Sequence, residues 1–262
     1  MKQYKTIVNG ATMAGLAIAS CDPEGTLIVD RGNQLASDFF ASMRADPMPE
    51  RTIQGESARK FWAVMKQYPS VVQDGQLAVT EGMPALGRYA ESQKLQILFD
   101  FSILSSQRNM DHFTLTGICR DEIYHVQAEN YVDTTETFVK QAVDGMVTES
   151  LNLLIWKAGQ DRVICPHATV HEFPTGGYYI LEMPVDAEMS YSQLRKQALE
   201  LFSFTQTDSN DLLLKAADRI CVRGKQSSVL SDSNGFILCS CLSDDLLHAM
   251  ERGEQFWRDY LC

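Results

Sequence analysis

Residues 5–31 read KTIVNGATMAGLAIASCDPEGTLIVDR, and their order decides the fold. Thr6-Ile7-Val8 is a short β-branched run, suited to a buried strand. Gly10-Ala11-Thr12-Met13-Ala14-Gly15 occupies the strand-to-helix turn, and Leu16-Ala17-Ile18-Ala19 continues it as a small-residue helix. Pro23 and Gly25 break that helix. Thr26-Leu27-Ile28-Val29 is a second strand, and it ends on Asp30. Strand, glycine turn, helix, strand and acid follow one another as in a nucleotide-binding βαβ unit.

Each part has a physical task in such a unit. Gly10 lets the chain turn sharply off the strand, and Gly15 lets the helix lie close to the sheet. The free N–H groups at the helix start, with the positive end of its dipole, suit a diphosphate. Asp30 stands where a carboxylate can accept hydrogen bonds from a ribose hydroxyl pair. Thr12 takes the place of the middle glycine of G-x-G-x-x-G. The same order also serves a βαβ unit whose glycines only pack.

Gly10-Ala11-Thr12-Met13-Ala14-Gly15-Leu16-Ala17 resembles the "GGTxAGIAA" opening of a family of FAD-dependent oxidoreductases with a glutathione-reductase-like fold. In that family threonine is common at the middle position. Asp30-Arg31-Gly32 is similar to the family's "ERG" at the end of the second strand. The resemblance implies an α/β fold, a Rossmann-like FAD/NAD(P)-binding domain with an inserted smaller β-rich (α+β) domain. It implies FAD as cofactor, with Gly10, Thr12, Ala14, Gly15, Asp30, Arg31 and Ile103 as its contacts. Gly10, Thr12 and Gly15 would face the diphosphate, Asp30 the ribose, and Ile103 the adenine.

The sequence departs from that pattern in several places. The helix and loop between Gly15 and Asp30 run about one turn short of the family's spacing, which keeps the helix faces in phase. Gln127-Ala128-Glu129-Asn130-Tyr131-Val132-Asp133-Thr134-Thr135-Glu136 matches the outline of "A-x-x-x-I-D-A-T-G-D", but its glycine is gone. The family's final glycine-containing strand and helix find no match before Cys262.

The 262 residues suffice for one large or two modest domains. Hydrophobic residues make up 45% and charged residues 22%, an ordinary globular balance. The net charge of −11 argues against a nucleic-acid backbone or an anionic membrane as partner. No apolar run is long enough to span a bilayer. Seven cysteines without a framework spacing suit reduced thiols in the cytoplasm.

Further along, residues 39–43, 57–67 and 83–95 read as helices, and 95–104, 113–120 and 123–126 as strands with a turn at 107–109. Residues 151–156 and 177–183 read as a second sheet. A helix follows from Met189 through Phe202, and Leu212 to Ala217 continues helically. This divides the chain into a nucleotide-binding part (1–145), a substrate-side β-rich domain (146–210) and C-terminal helices (211–262).

Asp218 to Lys225 resembles the family's "i-g-v-R-E-t-R" stretch without its glutamate and second arginine. Arg195, Arg219 and Arg223 are candidates for an anionic ligand, although such arginines are more often structural. Cys165-Pro166-His167 with His171-Glu172 is the one His/Cys cluster, and zinc needs about four convergent ligands. A strand with ordinary histidines is the expectation there, and no metal site. Cys239-Ser240-Cys241 has alternate-residue spacing that rarely suits a disulfide.

The expected function is hydride or electron transfer by an FAD-linked oxidoreductase of reduced size, acting on a small-molecule substrate. No catalytic acid or base stands out. The alternative is a non-catalytic relative that has lost flavin binding and serves as a partner or regulatory subunit. Binding of NAD or ADP without flavin, and a homo-oligomeric state, stay open.

Overall fold

The computed structural model describes residues 2–45, 52–68, 71–73, 76–77, 82–109, 111–143, 145–158, 167–173, 177–185, 189–205, 210–225, 229–232 and 235–262. Its first elements are β1 (Lys2–Asn9), α1 (Met13–Cys21) and β2 (Thr26–Val29), with β1 and β2 parallel. Side chains alternate along β1 as the pleat requires. Ile7 enters the apolar layer on one face of the sheet and Val8 the layer on the other. Both faces are covered at Thr6-Ile7-Val8, the buried and β-branched part of the strand. Thr12 caps α1, its hydroxyl accepting from Gly15 N at 3.1 Å.

The next elements are α2 (Glu56–Met65), the two-residue strands β3 (Val72–Gln73) and β4 (Gln76–Leu77), α3 (Gly82–Ser92) and β5 (Gln96–Leu98). A meander follows: β6 (Phe101–Asn109), β7 (His112–Cys119) and β8 (Glu122–Asp133). The long β8 pairs with β7 over its first part and with β1, in parallel, over its second. After α4 (Val139–Ala142) comes a second sheet, from β9 (Thr148–Trp156), β10 (Thr169–Glu172) and β11 (Tyr178–Pro184). Helix α5 (Tyr191–Thr205) leads to β12 (Leu212–Ala216) and β13 (Cys221–Arg223). The chain then returns through β14 (Leu230–Asp232), β15 (Gly235–Ile237) and α6 (Leu246–Phe256).

The first sheet therefore runs β14-β15-β8-β1-β2-β5, with β6 and β7 hung on β8. The second runs β10-β11-β9-β12, antiparallel, with β13 also on β9. Leu151, Leu153 and Ile155 of the second sheet share one buried cluster with Leu16, Ile18 and Leu247 of the first unit. The segment after Asp30 lies between the two units. Buried Asn152 donates to the carbonyls of Ser42 and Met43, each at 3.0 Å, and Asp218 N donates to Ala41 O.

Several expected elements change. Leu212–Ala216 is a strand, because pairing with β9 overrides the helix propensity of Leu, Lys and Ala. The stretch 211–262, expected as helices, holds two strands of the second sheet, two of the first and then α6. A short strand and a helix, β15 and α6, close this stretch, with β15 parallel to β8. Residues 95–104 form two strands, separated at Asp100 by a positive φ of 55°. Residues 107–109 lie inside β6, and 39–43 form turns instead of a helix.

Helix α6 lies against α1 at very short range. Gly253 meets the backbone of Ala14, where an added Cβ would sit 2.9 Å from Ala14 Cα and closer still to its carbonyl oxygen. No helix among the described residues is long and apolar enough to cross a membrane.

Candidate nucleotide site

The turn from β1 into α1 has the backbone that the sequence asks for. Gly10 sits at φ 107°, where a side chain is strained, and its N–H donates to Val29 O at 2.8 Å. Thr134, next to the end of β8, closes the turn from the other side. Its hydroxyl donates to Asn9 O (3.0 Å) and accepts from the Thr12 hydroxyl (2.7 Å). Asp133 is held by Asn9 Nδ2 at 2.9 Å and by the N–H and hydroxyl of Thr135.

Four N–H groups at the start of α1, those of Ala11, Met13, Ala14 and Gly15, are taken by the protein's own side chains. Ala11 N donates to Asp30 Oδ2 at 2.6 Å. Met13 N donates to the Asp38 carboxylate, 3.2 Å to Oδ1 and 3.4 Å to Oδ2. Ala14 N donates to Ser240 Oγ at 3.0 Å, and Gly15 N to Thr12 Oγ1 at 3.1 Å. The Ser240 hydroxyl in turn donates to Asp38 Oδ2 at 2.6 Å. Every residue from Gly10 to Gly15 is buried. Asp38 thus sits at the positive end of the helix, where an anion is favoured.

Asp30 points into the same turn. It is only 2% exposed, and its Oδ1 accepts from Gly32 N at 2.6 Å. Arg219 Nη2 lies 3.6 Å from that oxygen, and Arg219 Nη1 lies 3.3 Å from Glu136. Both oxygens of Asp30 are therefore engaged by backbone N–H groups, and an arginine covers them from outside.

The structure brings Gly10, Thr12, Ala14, Gly15 and Asp30 together. Arg31 is exposed. Ile103, like Leu98 and Tyr124, packs against the cluster that holds Ile7, Leu27 and Phe101. Sequence reasoning missed Asp38, Thr134 and Ser240. The available signal was Asp38 itself, one acid inside the apolar run Leu35 to Met43.

A bound diphosphate needs free N–H donors, room and no opposing charge. Here the N–H groups of Ala11, Met13, Ala14 and Gly15 are engaged, the turn is buried, and the Asp38 carboxylate sits at the start of the helix. The residues present do not fit the diphosphate of FAD in this arrangement.

Burial pushes the Asp38 carboxyl up to about 6, against the hydrogen bonds from Ser240 and Met13 that pull it down. A folded value above the unfolded one adds stability below the unfolded pKa, and that gain is lost as pH rises through 6. Lowering the pH from 7 to 5 should thus add about 1 kcal/mol through Asp38. Urea midpoints at the two pH values, measured on the wild type and on Asp38→Asn, check this. The variant should lack that increment.

The remaining candidates have structural partners. Arg223 holds Glu182 through Nε and Nη2, each at 3.1 Å, and His171 Nε2 lies 2.9 Å from the same carboxylate. Burial alone would raise Glu182, but its bonds to His171 and Arg223 bring it down to about 2. Arg195 is exposed. Cys165 and Pro166 lie outside the described residues, and among those described no three His, Cys, Asp or Glu residues converge on a metal site. Cys239 and Cys241 are both buried free thiols, and burial pushes Cys239 up to about 12.

No protein-family model matches this chain, and no curated protein sequence matches it. Solved structures do resemble it in fold. The p-nitrophenol 4-monooxygenase PnpA from Pseudomonas putida DLL-E4 aligns with a TM-score of 0.56 and 14% identity, over 95% of this chain and 73% of that one. A flavoprotein/dehydrogenase from Cytophaga hutchinsonii aligns with a TM-score of 0.59 and 13% identity, over 97% and 76%. The rebeccamycin biosynthetic enzyme RebC with reduced flavin aligns with a TM-score of 0.55 and 12% identity, over 90% and 55%. At these identities the likeness carries the fold. The chain has the Rossmann-like α/β fold of flavoproteins, with a parallel sheet and a second, antiparallel sheet.

Proposed function

We propose that this protein is a non-catalytic relative of the flavoproteins, which keeps their scaffold without holding FAD and serves as a cytoplasmic partner or regulatory subunit. One observation carries the reading: the start of α1, the anion-binding end of the fold, is filled by Asp38 and Ser240. A diphosphate brought there would meet a buried carboxylate and find the N–H groups of Ala11, Met13, Ala14 and Gly15 already bonded. Asp30 supports the reading too, since both its oxygens already accept backbone N–H groups of the turn.

The second reading is an FAD-linked oxidoreductase acting on a small substrate, and the flavoprotein likeness of the fold favours it. FAD would then supply hydride or electron transfer. Residues Gly10, Thr12, Ala14, Gly15 and Asp30 would hold it only after the Asp38 segment had left the turn.

The test is the visible spectrum of freshly purified protein, followed by titration with FAD, NAD and ADP. A colourless protein that leaves FAD fluorescence unquenched and gives no binding heat with the other two is the expected result. A flavin band, or saturable quenching of FAD, overturns the proposal in favour of the second reading.

A further inference from the structure

A cavity of about 590 Å³ lies between α4, with the turn that precedes it, and the strand pair β9–β13. It is separate from the buried turn of α1: Arg219, which lines it, stands between the cavity and Asp30. Its volume is that of a small-molecule site. The walls are aromatic and aliphatic, from Phe138, Tyr191, Ile220 and Val222. The Tyr191 ring is fixed by a hydrogen bond from its hydroxyl to Ala217 O.

The charges around this apolar space are unevenly committed. Arg219 is held by Asp30 and Glu136. Asp218 is held by Lys215 at 2.6 Å. Glu149 stands beside Val222, its cross-strand partner, and both line the cavity. It is half-buried and makes no side-chain hydrogen bond or ion pair among the described residues. Lys140, also at the rim, is exposed to water. A carboxylate partly removed from water beside apolar surface gains from a cation with its own N–H donors. Phe138 and Tyr191 offer the ring faces on which an organic cation also rests. The net charge of −11 raises the local concentration of cations.

We propose that this cavity binds a small organic ammonium ion, its amine on Glu149 and its apolar body between Phe138, Tyr191 and Ile220. The proposal does not depend on whether the α1 turn takes FAD.

The experiment is calorimetric titration of the full chain with benzylamine, a cation at neutral pH, and with phenylacetate, an anion of similar shape. Saturable binding of benzylamine with none of phenylacetate is expected. Glu149→Gln should weaken benzylamine about tenfold, the size of one charge-assisted hydrogen bond. Ile220→Trp, which fills the cavity, should abolish binding in a chain whose thermal melt shows it folded. If that variant does not fold, Tyr191→Ala should weaken binding instead. No binding of benzylamine at millimolar concentration overturns the proposal. So does phenylacetate binding as tightly, or an affinity unmoved by Glu149→Gln.

Discussion

Replacing Gly253 by alanine is expected to destabilise the protein by about 2 kcal/mol, the cost of forcing atoms into a packed contact. The sign is the informative part. In an ordinary helix interior the same change gains about 0.5–1 kcal/mol, because alanine loses less backbone freedom. Here the new methyl group would meet the backbone of Ala14, 2.9 Å from its Cα. Backbone cannot swing aside as the tip of a side chain can. The Ala14 N–H is itself bonded to Ser240, which ties α1 in place at this residue. Helix α6 would have to retreat, opening the contact that buries Leu247, Met250 and Leu16. Urea denaturation of the two proteins measures the difference. An unchanged or higher midpoint for Gly253→Ala would mean that the two helices do not touch as described.

Asp30→Ala should cost more, about 4 kcal/mol. The carboxylate accepts two buried or half-buried backbone bonds at 2.6 Å, from Ala11 and Gly32, and each bond to a charged group contributes about 1.5–3 kcal/mol. Alanine leaves both N–H groups without an acceptor and removes one of the two carboxylates around Arg219. The two functional readings part here. If Asp30 is part of the scaffold, Asp30→Ala lowers the denaturation midpoint and changes no nucleotide affinity. If it grips a ribose, the variant stays folded and loses FAD. Melting curves and FAD titration on the same preparations decide between these outcomes.

Residues 5–31 made the first βαβ unit legible because every level of the sequence agrees there. The β-branched run, the glycines, the breaker at Pro23 and the second apolar run all specify one path. The acid at the end of β2 was legible as a position but not as a contact. Sequence spacing places a carboxylate at the strand's tip and does not say whether its oxygens turn to a ligand or to Ala11 N. Asp38 and Ser240 were harder still, since they reach α1 from 25 and 226 residues away. The ending was missed for a related reason. The strand β15 has three residues, and its pairing with β8 is decided by tertiary contact and not by local pattern. Leu212–Ala216 shows the same override in the second sheet, where a helix-forming composition pairs as a strand.

The tie between Ala14 and Ser240 also bears on how the chain is made. The hydroxyl that meets the amide of α1 and the helix that covers its flank are made more than two hundred residues after it. Until those residues are made, the apolar side chains of Leu16 and Ile18 lack their final neighbours. A nascent chain in that condition is a natural client for chaperones, and α1 settles only once those later residues arrive.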